Sequence, residues 1–208
     1  MIPVKICGIT NLEDAFLAVE LGAWALGFNF YKKSPRYVSP EVAASIVAAV
    51  RGKVITVGVF VNEDSKSIKS ILDETKINYA QLHGEESDIF AEGIRIPFIK
   101  AFRILDRIHM NEIYRFRGIV DYVLLDSFSE KAYGGTGEIA NWELAALISK
   151  KINIILAGGL TVHNVLDAIN YVKPSAIDVC SGVEQFPGRK CPAKLKKFFE
   201  VLKEKEIV

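Results

Sequence analysis

The stretch Val4-Lys5-Ile6-Cys7-Gly8-Ile9-Thr10 decides the fold, because it is a short apolar strand that turns directly into a helix. Successive side chains of a strand point to opposite faces, so Lys5 and Cys7 share one face, opposite the aliphatic residues beside them. Thr10 or Asn11 can cap the following helix, and acidic residues stand in its first turn. The rest of the chain repeats this strand-then-helix unit.

About eight such units follow one another without a Pro/Ser-rich linker. The strands are predicted at residues 4–7, 23–30, 54–61, 79–84, 97–102, 122–126, 152–157 and 176–182. The helices are predicted at residues 12–21, 41–50 (beginning at Pro40), 67–72, 87–91, 108–116 and 192–203, and two more begin near Trp142 and Val162. This pattern favours a single α/β domain over residues 1–208, a (β/α)8 barrel, rather than an open doubly wound sheet, although counting units does not show closure.

The composition is that of an ordinary globular protein, with 50% hydrophobic and 25% charged residues and a net charge of +1. This balance gives no support to a nucleic-acid or membrane-surface partner. No apolar run is long enough to span a bilayer, and the N-terminus enters a strand without a basic leader, so we expect a cytoplasmic protein, either monomer or homodimer. The cysteines form no C-x-x-C pair and the histidines lie far apart, so neither a disulfide framework nor a metal site is expected.

Unusual residues stand where the predicted strands end. In a barrel these ends meet at one mouth, which is where active sites are built. The residues are Cys7 at the end of the first strand, His83 at the end of the fourth, Asp126 at the end of the sixth, Gly158-Gly159 at the end of the seventh and Ser181-Gly182 at the end of the eighth. The sequence therefore predicts a site at this end of the barrel.

The glycine-rich turns after the last two strands suggest a phosphate site. Gly158-Gly159 and Ser181-Gly182 allow ligand oxygens to approach backbone N–H groups, and a short helix can direct its N-terminus at them. A second glycine pattern, Gly135-Thr136-Gly137, resembles a dinucleotide-binding fingerprint but follows a loop instead of a strand, so we reject it. The expected ligand is a small phosphorylated molecule.

Cys7 and Asp126 each allow two interpretations. Cys7 is either a small buried apolar residue or a thiolate base, whose pKa Lys5 could lower unless Asp178 on the same face neutralises that lysine. Asp126 is either a turn cap or a partly desolvated acid, and the long loop after it favours the acid.

Two further polar residues are candidates for ligand binding. Arg36, held by the rigid Pro35, can grip a carboxylate with two hydrogen bonds, or it is an ordinary surface arginine. His83 shares a strand face with Gln81 and either contacts the substrate or is a satisfied core histidine.

Taken together, these motifs resemble the phosphoribosylanthranilate isomerase family of tryptophan biosynthesis. The matching segments, in order along the chain, are Lys5-Ile6-Cys7-Gly8-Ile9-Thr10, Gly27-Phe28-Asn29-Phe30, Ser34-Pro35-Arg36-Tyr37, Val57-Gly58-Val59-Phe60, Gln81-Leu82-His83-Gly84, Leu124-Leu125-Asp126, Gly134-Gly135-Thr136-Gly137, Ala157-Gly158-Gly159-Leu160 and Asp178-Val179-Cys180-Ser181-Gly182-Val183-Glu184. The resemblance implies a cofactor-free barrel that carries out an Amadori rearrangement, with Cys7 as general base and Asp126 as general acid. It also implies that Arg36 holds the anthranilate carboxylate and that the glycine-rich turns hold the phosphate. Asn29 departs from the apolar residue usual in the family.

Two other functions remain open at this point. One is a barrel synthase or lyase acting on a related phosphorylated substrate, which would use a catalytic lysine such as Lys5 or Lys100. The other is a non-catalytic binder of a phosphorylated ligand on the same scaffold.

Overall fold

Eight parallel strands close into a barrel in chain order, with the last strand, β8, paired to the first, β1. The computed structural model describes residues 1–87, 90, 96–104, 110–127 and 141–204. The strands are β1 Val4–Cys7, β2 Ala25–Asn29, β3 Ile55–Phe60, β4 Tyr79–Leu82, β5 Phe98–Ile104, β6 Val123–Ser127, β7 Ile154–Leu156 and β8 Ala176–Val179. The predicted (β/α)8 barrel is confirmed, and the open sheet is excluded.

Helices between the strands cover the outside of the barrel. They are α1 Leu12–Leu21, α2 Pro40–Val50, α3 Ser65–Thr75, α4 Met110–Arg115, α5 Trp142–Ser149, α6 Val165–Val172 and α7 Pro192–Glu204. Most of the helix predicted at 87–91, the start of the one predicted at 108–116, and the Gly135-Thr136-Gly137 pattern lie outside the described residues.

The segment after β8 differs from the prediction. The strand was expected to reach residue 182, but it ends at Val179 because Cys180 leaves the extended conformation, with φ −128° and ψ −86°. A 3-10 turn at Ser181–Val183 follows, and then a hairpin of β9 (Glu184–Phe186) and β10 (Arg189–Lys190), which the sequence did not predict. This hairpin folds back to the mouth of the barrel.

Local signals in the sequence fix where the helices begin. Asn11, not Thr10, caps α1, since its side-chain oxygen accepts a hydrogen bond from the Asp14 amide at 2.9 Å. Ser39 caps α2, and Pro40 occupies its first turn, where the missing N–H costs nothing.

The core has two layers because strand residues alternate between faces. Side chains pointing outward pack against the helices, and a separate inner cluster fills the barrel with small and β-branched residues such as Ala25, Val57, Ala101 and Ile155. Lys5 points into the same interior and is fully buried. Because a buried ammonium group is costly unless it is paired, the barrel interior must also contain an acceptor for Lys5.

No helix in the described part of the chain combines the length and apolar character needed to cross a membrane.

Candidate active site

One cavity at the carboxyl ends of the strands brings together four residues predicted from the sequence. Cys7, Arg36, His83 and Asp126 all line it, although they lie on β1, the β2–α2 loop, the end of β4 and β6. Asp126 and His83 are largely buried, with exposed fractions of 4% and 7%. The thiol and the carboxyl group therefore face a shared, partly desolvated space.

Cys7 is surrounded by groups that favour its ionised form. Its pKa is held well below the ordinary thiol value, first by the hydrogen bond from the Cys180 thiol and then, against the opposing effect of burial, by the ammonium groups of Lys5 and Lys190. A thiolate is the form of cysteine that can accept a proton. The surroundings therefore suit Cys7 to the role of a base.

Lys5 interacts with both Asp178 and Cys7. It forms an ion pair with Asp178 and also lowers the pKa of Cys7, so the two alternatives considered from the sequence are both present. β1 and β8 set Lys5 opposite Asp178, and the Lys5 Nζ atom lies 3.0 Å from the Asp178 Oδ1 atom. Burial lowers the pKa of Lys5, but Asp178 and Cys7 outweigh it and the pKa is raised. Gly27 makes room for the arrangement, since a Cβ there would lie 2.7 Å from the Cys7 sulfur.

Asp126 has a histidine next to it. The His83 Nε2 atom lies 3.4 Å from the Asp126 Oδ2 atom, and the Gln81 side-chain nitrogen lies 2.8 Å from the His83 Nδ1 atom. If Gln81 donates to Nδ1, the His83 proton is on Nε2 and faces Asp126. His83 is largely buried but not a fully satisfied core histidine, since among the described residues its Nε2 atom makes no hydrogen bond. It lies on the cavity wall, and its contact with the substrate stays a prediction.

Arg36 is held by Glu184 instead of standing alone on the surface. Its Nε atom donates to both Glu184 carboxylate oxygens at 2.9 and 3.0 Å, and its Nη2 atom donates to Oε2 at 2.7 Å. Within the described residues, the Nη1 donors make no hydrogen bond. The arginine is therefore oriented by a buried ion pair and keeps one donor group for a ligand.

Asn29 supports the loop that carries Arg36. Its side-chain nitrogen donates to the Ser34 hydroxyl at 3.1 Å, and its oxygen accepts from the Tyr31 amide at 2.9 Å. The Ser34 hydroxyl in turn accepts from the Arg36 amide at 3.2 Å. These contacts explain a polar residue where the family usually has an apolar one.

Lys190 is part of the site, although it is not among the residues that the sequence predicts for it. It is fully buried, and its Nζ atom donates to the Cys7 carbonyl at 2.6 Å, the Cys180 carbonyl at 3.3 Å and the Glu184 carboxylate at 3.0 Å. In the sequence it stands in a charged turn, which is typical of an exposed residue. Only the hairpin of β9 and β10 brings its ammonium group to the backbone carbonyls of Cys7 and Cys180.

The two glycine-rich turns meet in a second cavity beside the first. Gly158, Gly159 and Ser181 line it, together with Asp126, which both cavities share. Gly158 and Gly159 adopt φ values of +86° and +63°, in the left-handed region that favours glycine. Gly182 is required for a different reason, since a Cβ there would lie 1.9 Å from the Leu160 carbonyl oxygen.

The lysines considered for a synthase or lyase are both committed to other groups. Lys5 is paired with Asp178, and the Lys100 Nζ atom lies 2.9 Å from Glu86 and 2.7 Å from the Gly84 carbonyl. Among the described residues, no cluster of histidine, cysteine, aspartate and glutamate has the geometry to hold a metal ion. The ion pairs of Lys5 and Lys100 do not favour lysine-based chemistry here.

A closed (β/α)8 barrel with a thiol of lowered pKa, a carboxyl group and an oriented guanidinium at its mouth is typical of an enzyme of the acid–base type that acts on a small anionic substrate. Comparison with known proteins identifies the family within this class of enzymes. The family model described as N-(5'phosphoribosyl)anthranilate (PRA) isomerase matches residues 4–201, and the chain belongs to this family.

Individual relatives agree over the full chain. N-(5'-phosphoribosyl)anthranilate isomerase of Pelobacter propionicus is 47% identical over 204 residues, covering 98% of this chain and 97% of the relative. The crystal structure of phosphoribosyl anthranilate isomerase from Thermotoga maritima superposes with a TM-score of 0.91 at 41% identity, covering 98% of this chain and 100% of that one. A further isomerase structure, at 41% identity with a TM-score of 0.87, covers 98% of this chain and 100% of its own and contains reduced 1-(o-carboxyphenylamino)-1-deoxyribulose 5-phosphate.

Proposed function

We propose that this protein isomerises N-(5'-phosphoribosyl)anthranilate to 1-(2-carboxyphenylamino)-1-deoxyribulose 5-phosphate in tryptophan biosynthesis. The observation that carries the proposal is the meeting of Cys7 and Asp126 in one cavity of a chain that belongs to this isomerase family. We further propose that the chain works as a single catalytic domain in the cytoplasm, as a monomer or a homodimer.

Asp126 is the proposed general acid. In its protonated form it gives its proton to the furanose ring oxygen, so that the ring opens and an iminium ion forms. The neighbouring His83, whose Nε2 atom lies 3.4 Å away, can stabilise the carboxylate that remains. The acid therefore has a partner for its anionic form.

Cys7 is the proposed general base. The iminium ion acidifies the proton on C2 of the sugar, and the Cys7 thiolate removes it. The resulting enolamine tautomerises to the ketone product. Cys180, Lys5 and Lys190 favour the charged form of Cys7 and hold its pKa below the ordinary thiol value, which lowers the free-energy cost of forming the thiolate base.

Substrate positioning is assigned to groups at both ends of the cavity. Arg36, oriented by Glu184, takes the anthranilate carboxylate, and the turns at 158–159 and 181–182 take the phosphate. Fixing both anionic ends holds the sugar between acid and base, where positioning can contribute several kcal/mol, on the order of 7 or more.

The function is tested by following the anthranilate fluorescence of phosphoribosylanthranilate with the purified protein in the presence of a metal chelator. The isomerase consumes the substrate and yields the deoxyribulose product. A non-catalytic binder leaves the substrate unchanged, and a synthase or lyase yields another product. Complementation of a tryptophan auxotroph that lacks this step, with Cys7→Ser as control, tests the same activity in cells.

Replacing Arg36 with alanine should mainly weaken substrate binding. Losing a charge-assisted hydrogen bond costs about 1.5–3 kcal/mol, so we expect KM to rise roughly 10- to 100-fold while kcat changes less. Steady-state kinetics measure both constants. Arg51→Ala, at the exposed end of α2, is the matched control and should leave KM unchanged. An unchanged KM in Arg36→Ala would place the carboxylate elsewhere.

The pH dependence of turnover should reflect the lowered pKa of Cys7. A base is active when deprotonated, and an ordinary thiol with a pKa near ~8.5 would lose activity about tenfold per pH unit below that value. Because the pKa of Cys7 is lowered, we expect kcat/KM to stay nearly level between pH ~8.5 and neutrality. Cys180→Ala removes the donor that lowers the pKa most and should move the acid limb to higher pH. A limb in the same position in both proteins would contradict this account.

A further inference from the structure

Cys7 is the last residue of β1, and Cys180 directly follows β8, the strand paired with β1. β1 and β8 pair in the register Val4–Ile177, Lys5–Asp178 and Ile6–Val179. The next residue of each chain segment is a cysteine, so Cys7 and Cys180 come side by side where the pairing ends, and both line the same cavity. Neighbouring strands lie about 4.8 Å apart, within the Cα separation of roughly 4.4–6.8 Å that a disulfide accepts.

The two cysteines lie close together at the mouth of the barrel. Both are half-buried on the wall of the same cavity, and the Lys190 Nζ atom donates to the backbone carbonyls of both, at 2.6 Å to Cys7 and 3.3 Å to Cys180. The Cys180 sulfur lies 3.9 Å from the Lys190 Nζ atom and 3.8 Å from the Glu184 Oε1 atom. A small oxidant entering the cavity therefore meets two neighbouring cysteines, and the pKa of one of them, Cys7, is lowered.

We propose that Cys7 and Cys180 are a modification site at which a peroxide forms a reversible intramolecular disulfide. The Cys7 thiolate attacks one peroxide oxygen, the O–O bond breaks, and Cys7 becomes a sulfenic acid with release of hydroxide. The Cys180 sulfur then attacks the Cys7 sulfur, an S–S bond forms, and the sulfenic oxygen leaves with the Cys180 proton as water. Two thiols are oxidised, one peroxide is reduced, and a small thiol reverses the bond.

The electrostatics of the pair suit this order of events. In the reduced protein, the pKa of Cys180 is raised well above the ordinary thiol value, chiefly because Cys180 donates its proton to Cys7 and also because of burial. Oxidation of Cys7 to a neutral sulfenic acid removes that cause. Lys190 and Arg36, which lower the pKa of Cys180, then favour its thiolate at the step where it must attack.

The effect on activity rests on the proposed function, since the disulfide takes away the proposed base. The disulfide would also protect Cys7, because a sulfenic acid without a neighbouring thiol proceeds to sulfinic acid, which ordinary thiols do not reduce.

The test treats the full-length reduced protein with hydrogen peroxide and measures free thiols, the mass of the Cys7–Cys180 peptides after digestion, and turnover before and after dithiothreitol. We expect loss of two thiols, a cross-linked peptide, and a fall in turnover of about 100-fold, the scale for losing a general base, that dithiothreitol reverses. Cys191→Ser, which removes the third cysteine, should behave as the wild type. Cys180→Ser, compared with its own untreated sample, should lose turnover irreversibly and carry oxidised Cys7.

Several results would overturn the proposal. These are a Cys7 that becomes sulfinic acid while Cys180 stays free, a mixed disulfide in place of the cross-link, and a Cys180→Ser protein that still recovers with dithiothreitol. A cross-link that forms without loss of turnover has a different meaning: it supports the modification site but contradicts the role of Cys7 as base.

Discussion

Replacing Cys7 with serine should lower kcat by roughly 100-fold or more, the usual scale for losing a general base. The hydroxyl is similar in shape to the thiol, but at neutral pH it does not supply the anion that Lys5, Lys190 and Cys180 stabilise at this position. Steady-state kinetics with phosphoribosylanthranilate measure the loss, and thermal unfolding should show little change in stability.

A substrate deuterated at C2 sharpens the Cys7 experiment. If Cys7 removes this proton, Cys7→Ser should make that step limiting, so that the primary isotope effect on kcat grows relative to the wild type. Cys191→Ser is the matched control, because it removes a half-buried thiol beyond the hairpin. Near-normal turnover, or an isotope effect that does not change, would remove Cys7 from the role of base.

Replacing Asp126 with asparagine should also lower kcat by roughly 100-fold or more, since the amide has nearly the same shape but cannot protonate the ring oxygen. The loss should appear in turnover while binding is largely kept. The open-chain analogue reduced 1-(o-carboxyphenylamino)-1-deoxyribulose 5-phosphate, which a relative binds, needs no ring opening and is a suitable binding probe.

The contrast between the two measurements decides the role of Asp126. We expect the dissociation constant of the analogue to change only a few-fold, far less than the roughly 100-fold effect on kcat. Asp121→Asn, an exposed carboxylate just before β6, is the control and should alter neither quantity. If the analogue loses affinity as strongly as turnover falls, Asp126 binds substrate instead of donating a proton.

The sequence contained enough information to predict the barrel and the location of the site. Repeated strand-then-helix units predicted the architecture. Alternation along the first strand predicted that Lys5 and Cys7 share a face, which is confirmed because the Lys5 Nζ and Cys7 Sγ atoms both lie next to Gly27. Because the carboxyl ends of the parallel strands meet at one mouth, the polar residues at the strand ends could be assigned to one candidate site from the sequence alone. The catalytic roles of Cys7 and Asp126 stay predictions.

The electrostatic support of the thiol could not be predicted from local patterns. Lys190 and Glu184 reach the site because β9 and β10 fold back over the end of β1, and strands of two and three residues leave almost no periodic signal. Arg36 lines the cavity as expected, but the Glu184 carboxylate that orients it lies 148 positions away. The placement of Cys180 next to Cys7 depends on the pairing of the first and last strands, which only closure of the barrel sets.

Lys190 donates to carbonyl groups at the ends of both terminal strands, those of Cys7 and Cys180, and so joins the two edges of the sheet that the chain brings together last along its sequence. Closure of the barrel and assembly of the reactive centre are consequently one event, because the Cys7 thiol obtains Cys180 and Lys190 as neighbours only when both edges are in place. In a refolding chain, the first appearance of turnover would therefore report that β1 and β8 have paired, whereas regained helical content would not.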